Sequence, residues 1–201
     1  MRKTLLSILF TAITAIGWAQ LQFNPQVGGS FTDLTNDPNG ITTKAAFGFL
    51  LGADMRIGDR IYFQPGVFFG RNATVVKVAN GDTATVEDNL IRTTFKVKAL
   101  AGFNIIHKEA FKLRVNAGPT YEVLLSVDSK DDKIQFNKDD YNAGSFNMDA
   151  GVGLDISLLT LESGISYGLS NTYKDSGELK SDSKYFTYYL TIGLVFGSSG
   201  N

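Results

Sequence analysis

From Leu21 onward the chain alternates apolar with polar or small residues, and the period is two. That period restricts the fold to extended strands, because successive side chains of a strand point to opposite faces. The clearest stretch runs from Phe111 to Val127. There Phe111, Leu113, Val115, Ala117, Pro119, Tyr121, Val123, Leu125 and Val127 alternate with Lys112, Arg114, Asn116, Gly118, Thr120, Glu122, Leu124 and Ser126. A second stretch sets Phe47, Phe49, Leu51, Ala53, Met55 and Ile57 against Gly48, Leu50, Gly52, Asp54 and Arg56. Each such strand has one apolar face, which must meet either a protein core or lipid.

The pattern predicts eight strands, near 21–31, 45–57, 60–72, 91–106, 111–127, 145–157, 160–170 and 184–197. The connections alternate in length. Gly58-Asp59, His107 to Ala110 and Leu158-Leu159 read as short hairpin turns. The stretches near 32–44, 73–90, 128–144 and 171–183 read as long loops rich in Asp, Asn, Gly, Ser and Lys. Such alternation places every short turn at one end of an up-and-down barrel and every long loop at the other, the asymmetry of outer-membrane barrels. Pro25, Pro65 and Pro119 fall inside strands, where each removes a ladder donor, and bulges are expected there.

Before the strands, Arg2 and Lys3 precede an apolar run from Thr4 to Ile16, and Gly17-Trp18-Ala19 forms a small-x-small site. This is the pattern of a cleaved export signal, residues 1–19, with cleavage between Ala19 and Gln20. The run is too short for a membrane helix, which needs about 20 apolar residues. The expected organisation is therefore a signal (1–19), one barrel domain (20–197) and a short tail (198–201).

Alternation alone does not say which face of a barrel meets lipid, since a soluble ligand-binding barrel also alternates, apolar side inward. Three features favour lipid. Phe31, Phe47, Phe69, Phe95, Tyr121, Phe146, Tyr167 and Tyr188 stand at the loop-side ends of the apolar sets, and Phe23, Phe63, Phe103, Phe111 and Phe196 at the turn-side ends. Two aromatic rings at two heights are what membrane interfaces select. The span from Phe111 to Tyr121, tilted by about 45°, projects to roughly 24 Å, the height of such an apolar band. The non-apolar faces are rich in Gly, Ser, Thr and Asn and carry few charges, unlike a water-facing exterior. The expected fold class is all-β, an eight-stranded antiparallel up-and-down transmembrane β-barrel in the bacterial outer membrane.

Gln64-Pro65-Gly66, Ala117-Gly118-Pro119 followed by Tyr121, and Gly164-Ile165-Ser166-Tyr167-Gly168-Leu169 occur in the third, fifth and seventh strands. In order and spacing the chain, over about 20–197, resembles the PorT-like small outer-membrane β-barrel family of Bacteroidota. The resemblance implies an eight-stranded outer-membrane barrel and, for most members, no assigned activity. The namesake takes part in a protein secretion system, a role that family membership does not transfer.

Composition excludes several kinds of chemistry. With 19 Lys and Arg against 20 Asp and Glu, no field points to nucleic acid, and without cysteine there is no thiolate or disulfide. His107 is the one histidine; it lies beside Lys108 and Glu109 with no serine in its turn, so a lipid-modifying hydrolase is the least favoured reading. Asp128, Asp131, Asp132, Asp139 and Asp140 lack the spacing of a calcium loop and are interrupted by Lys130, Lys133 and Lys138, which reads as a solvated loop. No catalytic residue, metal or cofactor is expected.

Two candidate sites emerge. Inward parity collects Asp54, Arg56, Lys96, Lys98, Lys112, Arg114, Glu122, Asp149, Asp155 and Glu162. An eight-stranded barrel is just wide enough for its own side chains, so these charges are expected to pair across the lumen as a plug; the alternative is a narrow ion path. At the chain's end, Thr191, Gly193 and Phe196 are similar to the signal read by the barrel-insertion machinery, although the chain continues past the aromatic to Asn201. The expected partners are outer-membrane lipid, that machinery during assembly, and an extracellular or secretion-system protein bound by the loops. The favoured role is structural or interactive, and the alternative is a component of a secretion or transport assembly.

Overall fold

The structure, a computed structural model, describes residues 21–35, 41–80, 84–108, 110–131, 134, 136–172 and 183–197. The expected signal segment with its Ala19–Gln20 cleavage site, and the expected tail, lie outside these residues. Eight long strands follow one another: β1 (Leu21–Leu34), β2 (Ile41–Gly58), β3 (Ile61–Asn80), β4 (Ala84–Lys108), β5 (Phe111–Ser129), β6 (Gly144–Ile156), β7 (Leu159–Gly168) and β8 (Tyr185–Leu194). A two-residue strand, β9 (Phe196–Gly197), resumes the line of β8 after Val195. Every strand pairs antiparallel with the next, and β1 pairs with both β2 and β8, so the sheet closes without an edge. This is the expected up-and-down barrel.

The short turns fall at one end. Gly58 adopts φ 126°, a conformation open to glycine, and leads into Asp59-Arg60; Ser157-Leu158 joins β6 to β7. At the other end two of the expected loops, 32–44 and 73–90, are taken up largely by strand. Residues 73–80 and 84–90 continue β3 and β4, paired from Ala73↔Ile91 up to Asn80↔Ala84. Thr74, Val75, Val76 and Val86 are β-branched, a signal that outweighs the polar content of this stretch. Similarly β1 runs on to Leu34 and β2 starts at Ile41.

The prolines do not make bulges. Pro25, Pro65 and Pro119 keep their pairs with Ala53, Ala99 and Met148 on one side. On the other side the ladder lapses and resumes in the same register: Asp54↔Gly66 is followed by Ile57↔Phe63, and Lys98↔Thr120 by Ala101↔Ala117. The missing donor is therefore absorbed as a lapse of two residue pairs with no extra residue. The irregularities lie elsewhere, between Ala46 and Phe49, Thr93 and Thr94, and Asn104 and Ile106.

The barrel is apolar outside and polar inside. All thirteen aromatics of the two expected rings face outward, between 38 % and 65 % exposed. Cross-strand pairing keeps each ring together: Phe31 meets Phe47 and Tyr188, Tyr121 meets Phe146, and Phe23 meets Phe196. Phe31 and Phe47 stack edge-on at 5.6 Å. Val27, Leu51, Val67, Val97, Val152 and Ile192 fill the exposed band between the rings. Among buried residues, polar and charged ones predominate, from Asn24 to Thr191. A soluble barrel requires the reverse arrangement, because an apolar belt of this extent in water would aggregate.

The loop end has a small core of its own. Val76, Leu90, Leu124 and Tyr141 are buried together, with Val127, Ile134 and Phe136 packed against them. Ile134, Phe136 and Tyr141 thus pack at the loop end, while the acids Asp128, Asp131, Asp139 and Asp140 around them stay exposed.

Candidate functional site: a charged lumen

The ten expected lumen charges are all buried. Strand parity carries them inward from five strands, β2, β4, β5, β6 and β7, and the barrel's width brings them into contact. Toward the turn end, Arg56 Nη1 lies 2.7 Å from Asp155 Oδ2, and Arg114 Nε lies 3.3 Å from Asp155 Oδ1 while its Nη1 meets Glu162. Thr160 Oγ1 accepts from both guanidinium groups, at 3.2 and 3.0 Å. Arg114 is fully buried and lies against Gly153, where a Cβ would stand 2.2 Å from its Cζ; glycine there makes room for the guanidinium.

In the middle, Asp54 accepts from Gln64 Nε2 at 2.9 Å and from Gln26, and Asn116 donates to Gln64 at 3.2 Å. Lys98 Nζ lies 2.9 Å from Asp149 and 4.3 Å from the centre of the Tyr189 ring. Toward the loop end, Glu122 takes two cations: Lys96 at 2.8 Å and Arg92 at 2.7 Å. Arg92 also lies over the Tyr185 ring, 3.6 Å from its centre.

Two differences from the expected set stand out. Arg92 belongs to the network although the parity list omitted it; it shares the even parity of Lys96 and Lys98 on β4, so the signal was available. Lys112 is buried at the turn-end mouth yet forms no ion pair among the described residues. There it lines, with Asp155, a hollow of about 200 Å³. At the loop end a cavity of about 20 Å³, room for a single water, lies between Arg92, Glu122, Tyr141 and Thr172. The neutral partners Gln26, Gln64 and Asn116 also escaped a reading confined to charges.

The other candidates are placed as follows. His107 is a residue of β4 and not of the turn, half-buried, with Nε2 3.0 Å from Asp59 Oδ1 and Nδ1 without a partner among the described residues. Among the described residues its polar contact is thus a carboxylate and no hydroxyl, which a nucleophile would need. Thr191 faces inward and donates to Gln26 Oε1 at 2.6 Å; Gly193 is buried against Pro25; Phe196 faces outward beside Phe23. Among the described residues, no group of three acids or histidines is arranged to hold a metal.

Asp88, unremarked in the sequence, organises the loop end. Its carboxylate accepts from Ser129 Oγ and from the N–H groups of Asn89, Asp131 and Ile134. Burial opposes its ionisation, but these hydrogen bonds outweigh that and hold the carboxyl well below the usual carboxylate range.

Several solved structures resemble this one in outline. Ail of Yersinia pestis is 15 % identical, the match covering 87 % of this chain and 98 % of that one at a TM-score of 0.45. Neisserial surface protein A is 10 % identical, with 88 % and 97 % covered and a TM-score of 0.47. The N-terminal barrel of Pseudomonas aeruginosa OprF is 10 % identical, with 89 % and 99 % covered and a TM-score of 0.37. No residue role is carried over from them. No curated protein matches the sequence. The family described as "Outer membrane protein beta-barrel domain" matches over residues 18–174, most of the chain. With the outward apolar belt and the polar interior, that match places the protein in this family, as an integral β-barrel of the bacterial outer membrane.

Proposed function

We propose that this barrel is a non-catalytic structural or interaction protein, closed to ions, whose loop end faces the outside of the cell and meets a partner there. The observation that carries the reading is the engagement of every lumen acid. Asp54, Glu122, Asp149, Asp155 and Glu162 each contact a cation, an amide donor or both, so the charges satisfy one another across the lumen instead of lining a path. The PorT-like resemblance supports the same placement. Planar-bilayer recordings of the purified barrel are expected to show no steady conductance. Large, stable single-channel currents would overturn the closed-lumen reading.

A second reading, a component of a secretion or transport assembly, draws on the β3–β4 hairpin. It continues past the loop-side ring to Asn80↔Ala84 and projects strands where a partner can reach them. Cross-linking from this hairpin in intact cells to a defined membrane complex would favour that reading over the first.

A further inference from the structure

The outer wall carries a second feature that the lumen does not explain. Where β2 shifts register against β3, between Ala46 and Phe49, the wall opens into a hollow of about 370 Å³. Phe47, Phe49, Ala73 and Ile91 form its apolar side, and Arg71 and Lys130 its charged side. Its height follows from the register. Arg71 lies two residues beyond Phe69, a member of the loop-side ring, so it stands about 7 Å further along the strand, on the water side. Lys130 is held above it by its backbone N–H, which donates to Asn89 O at 3.0 Å.

Both cations are exposed, and neither has an ion-pair partner among the described residues. The acid closest to Lys130 on β5, Asp128, accepts from Ser126 at 3.0 Å and does not line the hollow. Two unpaired cations above an apolar wall, at the level where aromatics mark the interface, are complementary to an amphiphile with an anionic head. Arg offers a planar fork that matches phosphate oxygens, and Lys adds a point charge. A phosphate monoester carries about −1.5 to −2 charges at pH 7, close to the sum of the two cations. A phosphodiester or zwitterionic head would leave charge unmatched.

We propose that this hollow binds the phosphate-monoester head of a membrane lipid in the loop-side leaflet, its acyl chains lying along Phe47 and Phe49. The inference requires the barrel to sit in lipid and stands whether or not the lumen conducts. The test is native mass spectrometry of the folded protein released from detergent with phosphatidic acid or with phosphatidylcholine of the same acyl chains. Retention of phosphatidic acid is expected to exceed that of phosphatidylcholine by about tenfold. The double variant Arg71→Gln/Lys130→Gln should remove the preference, and Lys108→Gln, an exposed cation at the turn end, should keep it. Equal retention of the two lipids by the unmodified protein would overturn the proposal. So would a double variant that retains the preference, or a Lys108→Gln variant that loses it. Displacement of phosphatidic acid by equimolar inorganic phosphate would show a free-anion site and overturn the lipid assignment. Should the double variant fail to fold, the lipid comparison and the phosphate competition on the unmodified protein decide the matter.

Discussion

Single residues in this barrel differ sharply in consequence according to the face they occupy. Glu122 is buried and compensates two cations, Lys96 and Arg92, that have no other acid within ion-pair distance among the described residues. Removing one member of a buried ion pair leaves charge uncompensated in a low dielectric and costs about 3 to 5 kcal/mol. Glu122→Ala is therefore expected to lower unfolding stability in urea by that order, whereas Asp139→Ala, on the exposed loop, should change it by less than about 0.5 kcal/mol. Equal effects of the two would mean that the lumen is solvated and the pairing weak. The position of Glu122 was legible in the sequence because parity decides inward from outward. Its partner Arg92 was equally legible, and the choice of Lys96 with Arg92 depends on distances only the closed barrel creates.

At the scale of elements, two segments make distinct predictions. Asp88 on β4 ties Ser129, Asp131 and Ile134 to the barrel, and its lowered pKa fixes the sign of the pH effect. A carboxyl whose folded pKa lies below its unfolded value stabilises fully above the unfolded value, and the contribution is lost as the pH falls through the folded one. Amide exchange at Asp131 and Ile134, corrected for intrinsic rates, should thus stay protected from pH 7 through the ordinary carboxylate range. Asp88→Ala should expose both amides at neutral pH. Loss of protection as the pH crosses about 4, the usual Asp pKa, would show that the carboxyl titrates normally. The end of the chain poses the other question. Phe196 shares the turn-side ring with four other Phe residues, so Phe196→Leu should alter detergent refolding by about 1 kcal/mol or less. As the terminal aromatic of the proposed insertion signal with Thr191 and Gly193, it should lower the amount of barrel reaching the outer membrane in cells. Normal accumulation in cells would reduce Phe196 to a packing residue.

The whole molecule adds orientation. Its interior is polar and its belt apolar, so lipid holds the barrel by its outside while ion pairs hold it from within. Absence of cysteine makes a single introduced thiol an unambiguous probe. If the loop end faces outside the cell as proposed, Asp139→Cys should react with a membrane-impermeant maleimide on intact cells, and Asp59→Cys, at the turn end, only after the cells are opened. The reverse labelling pattern would invert the barrel and move the hairpin and the proposed lipid site to the periplasmic side.

Parity, the spacing of aromatics and the hairpin signals are local properties, and they were enough to determine eight antiparallel strands, the lipid-facing side and the buried set from Asp54 to Glu162. They work because a strand's side chains must alternate whatever surrounds them. Where composition was weighed over pattern, at 73–90, the expectation of a loop failed, since β-branched residues override polar content and both strands run on; between Ser129 and Gly144 the expected connection stands, and what its polar content concealed is the packing of Ile134, Phe136 and Tyr141. Pairing partners belong to the tertiary structure alone. Which cation meets Asp155, which amide reaches Asp54, and how Asp88 gathers three backbone donors all depend on strands far apart in sequence. Their relative height is set by register and closure, quantities that no single strand encodes.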